Sequence, residues 1–330
     1  MPSVIVAGAS GYTGALAARL LWRHPDFDLV GVTSRSDVGR RLDDLYPYHR
    51  VPLALEELNL DGGHGDVDAA VVAYPHGAAA PVVAALRERG VKVVDLSADF
   101  RLRDVAEYEA WYVEHPHPDL IDDAVYGLPE RYRDDVRGAG LVANPGCYPT
   151  ATVLALAPLA PYMADVVIDA KSGVSGAGRK ASDTTHFVSA DENVTPYGVG
   201  RHRHMPEIDQ ELHAAGAPQE LDVTFTPHLV PLDQGELVSC YVTLSEPVGD
   251  VRELFEEAYR GEPFIELVDR APGVRDVRDT NICRIAARVD ERTGKAFVFG
   301  AIDNLWKGSS SQAVQNLNLM FGLDETAGIA

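Results

Sequence analysis

The sequence predicts an α/β protein: a Rossmann-type parallel sheet domain, plus an α+β domain with a mixed or antiparallel sheet. Short apolar runs alternate with helix-like segments through the first 143 residues, which is typical of βαβ units. A glycine-rich turn separates the first run from the first helix, as in dinucleotide-binding folds. Beyond residue 220, strand-like runs follow one another without long intervening helices, which favours antiparallel or mixed pairing.

The glycine-rich turn follows a predicted strand, Val4 to Ala7, and precedes a helix-like segment, Leu16 to Trp22. Its glycines, Gly8, Gly11 and Gly14, have the spacing G-x-x-G-x-x-G, a variant of the commoner G-x-G-x-x-G fingerprint. Glycines at such a turn let the backbone approach a pyrophosphate at the helix N-terminus. The alternative is a purely structural turn, but the strand and helix on either side favour dinucleotide binding.

The second predicted strand, Leu29 to Val32, indicates which dinucleotide is bound. An acidic residue about 20 residues beyond the fingerprint normally holds the ribose hydroxyls of NAD. Here the strand ends at Thr33, Ser34 and Arg35, which offer hydroxyls and a guanidinium. These groups suit a 2′-phosphate, so we expect NADP(H). The alternative is that Arg35 is a solvated surface charge.

The rest of the first half continues the alternation of strands and helices. Strands are predicted at Val67 to Ala73, Val91 to Leu96 and Leu141 to Ala143, with a helix at Ala78 to Arg89, whereas residues 40–66 are polar and show little periodicity. Parallel strands present their carboxyl ends at one edge, where ligands bind. The last of these strands would bring Cys147 to that edge.

Cys147 lies in the segment Asn144-Pro145-Gly146-Cys147-Tyr148-Pro149-Thr150, just ahead of an apolar run, Ala151 to Leu159, that we predict to be helical. Unsatisfied N–H groups and the positive end of the helix dipole favour an anion there, so more of the thiol should be thiolate. We therefore interpret Cys147 as a candidate nucleophile. The alternative is a small buried hydrophobic residue, which is the commoner role of a reduced cysteine.

Two segments of the second half carry anion-binding or acid–base chemistry. The loop from Ser172 to Lys180, which follows a strand at Val166 to Ala170, combines glycines and serines with two cations, and this suits a carboxylate or phosphate. Without a ligand it would be a flexible surface loop. Further on, His202 and His204 precede a helix that begins at Met205, and either histidine suits proton transfer near neutral pH.

The remaining predicted strands place two further cysteines in packed positions. Cys240 and Cys283 fall inside strand-like runs, and we interpret both as inert. A helix after Gly308 ends the chain and leaves an N-terminus that suits an anion or amide. The predicted elements are strands at 221–230, 237–244, 282–289 and 296–302, and the helix at 313–321.

Composition excludes several classes of protein. A net charge of −21 repels nucleic acid, so no nucleic acid partner is expected. Three cysteines without metal-type spacing argue against a disulfide framework and a metal site, and fit a reducing cytoplasm. The N-terminus reads as a strand rather than a signal, and no apolar run approaches the roughly 18 residues that span a bilayer. We therefore expect a soluble cytoplasmic protein without a membrane partner.

Seven motifs, spread over nearly the whole length, resemble those of the N-acetyl-gamma-glutamyl-phosphate reductase family, which is related to aspartate-semialdehyde dehydrogenase. They are GASGYTG at 8–14, DLSADFRL at 95–102, YGLPE at 126–130, NPGCYPT at 144–150, SGVSGAGRK at 172–180, HRHMPEI at 202–208 and DNLWKGSSSQAVQNLN at 303–318. The sequence departs from the family pattern at Tyr74 and Trp306, which affects only the fine shape of a cofactor pocket.

The resemblance implies an NADPH-dependent reduction of an acyl phosphate to an aldehyde, with release of phosphate, through a thioester. It implies that Cys147 is the catalytic cysteine and His204 the acid–base residue, with His202 as the second choice. The implied substrate-binding residues are Ser175, Arg179, Lys180, His202 and Glu207. The implied cofactor contacts are Gly8, Ser10, Gly11, Tyr12, Thr13, Gly14, Ser34, Arg35, Asn304 and Lys307.

The resemblance also implies how the chain is organised. An NADP-binding Rossmann domain would comprise residues 1–145 plus 305–330, and a catalytic and dimerisation domain residues 146–304. A homodimer or homotetramer is expected. The nearest alternative is a reductase of aspartyl phosphate or of carrier-bound aminoadipyl phosphate, and an alternative of another class is a non-catalytic NADP-binding sensor.

Overall fold

The computed structural model describes all of residues 1–330, and the chain divides into two compact units. Unit 1 comprises Met1–Gly146 and Ser309–Ala330, and unit 2 comprises Cys147–Gly308. The chain thus leaves unit 1 between Gly146 and Cys147 and returns to it after Gly308. Strands and helices are numbered below in chain order.

Unit 1 contains a seven-stranded sheet in which every neighbouring pair is parallel. Its order is β3-β2-β1-β4-β5-β7-β6. The strands are β1 (Ser3–Ala7), β2 (Asp28–Thr33), β3 (Leu55–Glu56), β4 (Ala69–Val72), β5 (Lys92–Asp95), β6 (Ala124–Tyr126) and β7 (Leu141–Ala143). The interior strands β4 and β7 are buried throughout, as near-continuous apolar runs in a parallel sheet should be.

The strand order places a topological switch at β1. The chain passes from β1 to β2 and β3 on one side, and then to β4 and β5 on the other. Ligands bind at the carboxyl ends of the strands beside such a switch. The glycine turn that follows β1 lies at this position.

The helices of unit 1 connect these strands and end the chain. They are α1 (Tyr12–Trp22), α2 (Leu42–Leu45), α3 (Ala80–Glu88), α4 (Val105–Trp111), α5 (Pro129–Gly138) and α10 (Ser311–Met320). Helix α10 packs against α1 and α5 and is buried along its whole length.

Unit 2 contains a second seven-stranded sheet, of order β12-β13-β14-β11-β8-β10-β9. Its strands are β8 (Met163–Gly173), β9 (Thr195–Pro196), β10 (Asp222–Val230), β11 (Glu236–Leu244), β12 (Ile265–Leu267), β13 (Cys283–Val289) and β14 (Lys295–Ile302). Strand β8 is parallel to β10 and antiparallel to β11, which is in turn antiparallel to β14, so the sheet is mixed. The predicted fold class is confirmed.

The helices of unit 2 are α6 (Cys147–Leu156), α7 (Phe187–Ala190), α8 (Met205–Ala214) and α9 (Val251–Ala258). Helix α6 is buried from Tyr148 to its end and packs on β11 and β14. Gly300 in β14 permits this approach, because an ideal Cβ there would lie 3.2 Å from the Ala151 carbonyl oxygen.

The structure differs from the sequence-based prediction at several boundaries. Helix α6 begins at Cys147 rather than Ala151 and ends at Leu156, because Pro158 disfavours the α conformation in the residue before it. A 3₁₀ turn, Ala157–Tyr162, continues the chain. The short strands β3 and β6 were not predicted, since two or three residues show no period. The helix α9 was not predicted either, although Val251, Leu254 and Phe255 recur at helical spacing.

Candidate active site

The glycine turn of unit 1 has the shape of an anion cradle. Gly8 has a positive φ of 92°, and an ideal Cβ on it would lie 2.7 Å from the Ala73 carbonyl oxygen, so only glycine fits. A Cβ on Gly14 would lie 2.4 Å from the Gly8 carbonyl oxygen. At Gly11, by contrast, a Cβ would meet nothing closer than 3.8 Å. The turn is thus closed beneath Gly8 and Gly14 and open at Gly11.

The N-terminus of α1 leaves backbone donors at this opening. Gly11 is the N-cap and supplies no side-chain cap, and the first turn of α1, at Tyr12, Thr13 and Gly14, contains no acidic residue. Uncapped N–H groups together with the helix dipole favour a phosphate group. The residues present therefore fit the pyrophosphate of a dinucleotide.

Ser10 and Ser34 connect the glycine turn to the end of β2. The Ser34 hydroxyl donates to Ser10 Oγ at 2.9 Å and accepts the backbone N–H groups of Ser36 and Asp37. Tyr46, which sequence reasoning missed, donates its hydroxyl to the Ser10 carbonyl oxygen at 2.8 Å. These bonds fix the loop that carries Arg35.

Arg35 lies over the ring of Tyr74, with its guanidinium carbon 4.6 Å from the ring centroid. Such cation–π contacts hold a guanidinium in place without using its N–H donors. The nearby carboxylate of Asp37 forms an ion pair with Arg40 at 3.2 Å. The end of β2 therefore presents an oriented cation, which fits the 2′-phosphate of NADP.

The turn before Cys147 is fixed by groups from several motifs of unit 1. The backbone N–H of Asn144 donates to the Asp95 carbonyl oxygen at 2.8 Å, and its own carbonyl accepts from Arg101 Nε at 2.8 Å. Its side chain accepts from Asn316 Nδ2 at 3.1 Å and donates to the Ser309 carbonyl at 3.2 Å. The DLSADFRL and C-terminal motifs thus position the segment that leads into the catalytic-cysteine candidate.

Cys147 is the first residue of α6 and is partly exposed. A thiol at a helix N-terminus lies where a negative charge is favoured. Gly308 packs directly on it, because an ideal Cβ on Gly308 would lie 2.8 Å from Cys147 Cβ. The cysteine is thereby held between its own helix and the segment that follows β14.

An aromatic and imidazole cluster surrounds the next residue, Tyr148. The Tyr148 ring lies 5.6 Å from His202, 5.9 Å from His204 and 5.3 Å from Phe225, measured between centroids, and the two histidines lie 4.9 Å apart. Tyr197 donates its hydroxyl to that of Tyr148 at 3.2 Å. The structure therefore brings both predicted histidines beside the residue that follows Cys147.

His202 and His204 have different environments. Burial, and then the charge of Arg203, lowers the pKa of His202 to about 4, so this imidazole is neutral at neutral pH. Its Nδ1 accepts the backbone N–H of His204 at 3.1 Å, which leaves the proton on Nε2 as a donor. His204 is the N-cap residue of α8, and its carbonyl accepts the N–H of Ile208.

Glu236 is a residue of this site that sequence reasoning missed. It begins β11, is fully buried and contacts the Cys147 thiol. An acidic residue between Gly235 and an apolar strand is the only signal in the sequence. Because charged residues flank many strands, that signal alone does not distinguish a buried catalytic group from a solvated strand end.

A hydrogen bond connects Asn304, a predicted cofactor contact, to Ser175 in the predicted anion-binding loop. Asn304 Nδ2 donates to Ser175 Oγ at 3.0 Å, and Asn304 Oδ1 accepts the Gly235 N–H at 2.7 Å. Asn304 therefore orders the loops that follow β8 and precede β11. Arg179 and Lys180 are exposed on the first of these loops.

The other predicted residues lie in three different settings. Glu207 is buried in the first turn of α8, and Lys307 is fully buried with its Nζ 5.7 Å from the Phe264 ring centroid. Cys240 and Cys283 are buried within β11 and β13, and none of the three cysteines forms a disulfide. Burial raises the pKa of the Cys240 thiol, which makes it inert.

No group of three or more His, Cys, Asp or Glu side chains has an arrangement able to hold a metal ion. None of the helices has the length and apolar character required to cross a bilayer.

Two family models match the chain. The semialdehyde dehydrogenase NAD binding domain matches residues 3–139, and the semialdehyde dehydrogenase dimerisation domain matches residues 147–304. The fold is also similar to solved structures. Aspartate semialdehyde dehydrogenase II of Vibrio cholerae, complexed with ASA, has a TM-score of 0.74 at 19% identity over 98% of each chain. Aspartate semialdehyde dehydrogenase of Candida albicans with NADP has a TM-score of 0.72 at 16% identity, over 97% of this chain and 98% of that chain.

Relatives of much higher identity carry one name. The N-acetyl-gamma-glutamyl-phosphate reductase of Moorella thermoacetica is 49% identical over 97% of this chain and 96% of its own length. That of Desulforudis audaxviator is 49% identical over 100% and 98%, and that of Dehalococcoides mccartyi strain BAV1 is 47% identical over 98% and 96%. The resemblance predicted from the motifs is confirmed: this chain belongs to the N-acetyl-gamma-glutamyl-phosphate reductase family.

Proposed function

We propose that this protein reduces N-acetyl-L-glutamyl 5-phosphate to N-acetyl-L-glutamate 5-semialdehyde with NADPH, releasing phosphate, in arginine biosynthesis. One observation carries the proposal: Cys147 lies at the N-terminus of α6, immediately before Tyr148, which both His202 and His204 contact. A nucleophile beside an acid–base pair is the constellation that acyl transfer through a covalent intermediate requires.

Cys147 begins the reaction. Its sulfur attacks the acyl carbon, and because an acyl phosphate is already activated, phosphate leaves and a thioester forms. Bound NADPH supplies the hydride that reduces this thioester. The oxyanion of the resulting thiohemiacetal is stabilised by N–H donors at the N-terminus of α6 or by a proton from His204. Collapse expels the aldehyde and restores Cys147.

His204 is the acid–base residue of the proposal, and His202 binds substrate. The low pKa of His202, about 4, makes it a poor acid at neutral pH, while its Nε2–H remains a hydrogen-bond donor for a substrate oxygen. Ser175, Arg179, Lys180 and Glu207 complete the substrate contacts. The exposed cations Arg179 and Lys180 suit the carboxylate and phosphate of the substrate.

We assign the cofactor as NADP(H) on the charge at the end of β2. Gly8 and Gly11, the helix N-terminus from Tyr12 to Gly14, and Ser10 would hold the pyrophosphate, and Ser34 and Arg35 the 2′-phosphate. Asn304 and Lys307 complete the proposed cofactor set. In this assignment residues 1–145 plus 305–330 form the NADP-binding domain, and residues 146–304 form the catalytic and dimerisation domain. We propose a homodimer, with a homotetramer as the larger alternative, since residues 147–304 match a dimerisation domain.

The test is a substrate panel in the reverse direction. Phosphate-dependent reduction of NADP⁺ is measured with N-acetyl-L-glutamate 5-semialdehyde, aspartate semialdehyde and carrier-bound aminoadipate semialdehyde. We expect the highest kcat/KM with N-acetyl-L-glutamate 5-semialdehyde, and no turnover without phosphate. A higher kcat/KM with either other aldehyde would reassign the substrate.

A second measurement tests the alternative that the protein is a non-catalytic NADP-binding sensor. Brief iodoacetamide treatment followed by mass spectrometry compares Cys147 with Cys240 in the same sample. We expect rapid alkylation of Cys147 only. Equal and slow alkylation of both thiols, together with NADPH binding, would indicate a dinucleotide sensor instead.

A further inference from the structure

Glu236 is a buried acid in an unusual position. As the first residue of β11 it lies between Ser172 of β8 and Ile302 of β14 in the interior of the mixed sheet, and it is 0% exposed. Buried carboxylates are nearly always paired with a cation or held by several hydrogen bonds. Neither carboxyl oxygen of Glu236 accepts a hydrogen bond from an N–H or O–H donor. Ordinary packing therefore does not account for a carboxyl group here.

The neighbour of this carboxyl group is the nucleophile. The Cys147 thiol interacts with the Glu236 carboxyl group, as the packing of α6 on β11 allows. Gly308 packs against Cys147, because an ideal Cβ on Gly308 would lie 2.8 Å from Cys147 Cβ. The carboxyl and thiol are therefore held together by the sheet, by α6 and by the Gly308 segment.

Ionisable groups of both signs lie around the pair, since the charge of Arg203 acts on Tyr197 and both His202 and His204 lie beside Tyr148. The charge of Asp303, in the segment after β14, acts on Glu236, and the charges of Glu236 and Cys147 act on the hydroxyls of Tyr148 and Tyr197. Burial raises the pKa of Tyr148 and Tyr197, so both stay neutral. Asp303 is engaged with Gln234 and with the backbone N–H groups of Asp279, Leu305 and Trp306.

This environment keeps at least one proton on the pair near neutral pH. Burial, with a further contribution from the negative charge of Asp303, raises the pKa of Glu236 to about 8. A negative charge on both the sulfur and the carboxylate is disfavoured at contact distance in a buried site. The pair then behaves as one coupled group, in which the proton is on sulfur or on oxygen.

We propose that Glu236 is a catalytic residue that takes the proton of the Cys147 thiol as the sulfur attacks, and returns it when the sulfur leaves. In the first step the S–C bond forms, the C–O bond to phosphate breaks, and the thiol proton passes to a carboxylate oxygen of Glu236. After reduction the C–S bond breaks, its electron pair returns to sulfur, and the proton moves back from Glu236. The inference rests on the thioester chemistry proposed above, but the pairing itself is a property of the free protein.

The test measures Cys147 alkylation by iodoacetamide between pH 5.5 and 10, resolved by mass spectrometry, in the wild-type chain and in Glu236→Gln. A coupled pair predicts two steps in the wild-type rate profile, because loss of the shared proton follows loss of the first. The Gln variant should show one step. A single step in the wild-type chain overturns the proposal whether or not the variant folds.

Activity is the second readout. General-base help is typically worth about 100- to 10,000-fold, so kcat/KM of Glu236→Gln for the phosphate-dependent reaction should fall at least about 100-fold. The matched control is Glu211→Gln, which replaces another fully buried glutamate, held by Gln210 on α8, and should retain kcat/KM within about twofold.

The outcomes separate the two proposals. If the wild-type chain turns over the substrate and Glu236→Gln changes neither the alkylation profile nor kcat/KM, the role of Glu236 is wrong and the proposed function stands. If the two-step profile is present and lost in the variant while no acyl phosphate is turned over, the pairing stands and the proposed function is wrong.

Discussion

At the scale of single residues, the structure separates the roles of Cys147, His204 and His202. Cys147 occupies the first position of α6, His204 caps α8, and His202 is neutral with its donor on Nε2. Removing a nucleophile, an acid or a hydrogen-bond donor should therefore change different kinetic constants of the enzyme.

Cys147→Ala should leave essentially no turnover, since no other group of the site forms the thioester. His204→Ala should lower kcat by about 100- to 10,000-fold and keep residual activity. His202→Ala should mainly raise KM, by about tenfold, for one lost hydrogen bond. Steady-state kinetics of the three variants checks this order. Normal turnover by Cys147→Ala would exclude covalent catalysis.

Substitution of Gly308 should affect both the stability of the chain and the position of Cys147. An ideal Cβ at this position would lie 3.3 Å from both Cys147 Cα and the Asp303 carbonyl oxygen, and closer still to Cys147 Cβ. Gly308→Ala should therefore displace the cysteine and cost about 1–3 kcal/mol in the free energy of unfolding. Urea unfolding and the rate of Cys147 alkylation measure the two effects.

The matched control is Gly249→Ala, in the same unit, where an added Cβ meets no atom within 4 Å. This variant should unfold and react like the wild-type chain. Equal behaviour of both variants would mean that the segment after β14 yields to Gly308→Ala without disturbing Cys147.

At the scale of elements, strand ends and helix starts carry the chemistry. The glycine turn joins β1 to α1, Arg35 follows β2, and Cys147 begins α6. Asn304 holds the segment after β14 to the loops beside β8 and β11 through Ser175 and Gly235. The regular elements thus provide rigid positions, and the connections between them provide functional groups.

The loop after β2 sets the expected cofactor preference. Arg35→Ala should raise the Kd for NADPH by about 10- to 100-fold, because a charge-assisted hydrogen bond contributes roughly 1.5–3 kcal/mol, and should change the Kd for NADH little. Fluorescence titration of the free enzyme measures both constants. Arg40→Ala, on the same loop but paired with Asp37, is the control. Equal loss of NADPH and NADH binding in Arg35→Ala would contradict a 2′-phosphate contact.

At the scale of the whole molecule, buried histidines with lowered pKa values and buried carboxyls with raised pKa values set the pH dependence of stability. Burial lowers the pKa of His49 and His202 to about 4, and raises those of Asp95 to about 7 and Glu236 to about 8. Below pH 6.5 the unfolded chain binds extra protons at the histidines, while the folded chain binds extra protons at the carboxyls. The two effects oppose one another in the acidic range.

Between about pH 6.5 and 8, only the two carboxyl groups among these four differ in protonation between the folded and the unfolded chain. The folded chain then holds more protons than the unfolded chain, so the free energy of unfolding should fall as pH rises, by up to about 1.4 kcal/mol per pH unit for each group. Urea unfolding at pH 6.5, 7.5 and 8.5 measures the slope. Glu236→Gln should flatten it at the upper end. A free energy of unfolding that rises with pH in this window would contradict the protonated state of both carboxyls.

The sequence by itself determined the fold class, because short apolar runs and the strand–glycine–helix pattern are local properties. It also determined the family, since seven motifs agree over nearly the whole chain. Gly8 and Cys147 were found because each lies at a boundary that leaves a local signature, a turn or the start of a helix. Strands β3 and β6 were missed because they are too short to show a period, whereas α9 has a helical period that the sequence-based prediction overlooked.

Only the tertiary structure decided how the side chains of the site pair with one another. Glu236 lies 89 positions from Cys147 in the sequence, and the contact exists because β11 and α6 pack together. The neutral state of His202 depends on burial and on the charge of Arg203, and its tautomer depends on the His204 N–H. None of these contacts is visible in a motif. Spacing reveals groups that share a turn or a helix face, whereas desolvation and pairing between distant segments arise only when the chain is folded.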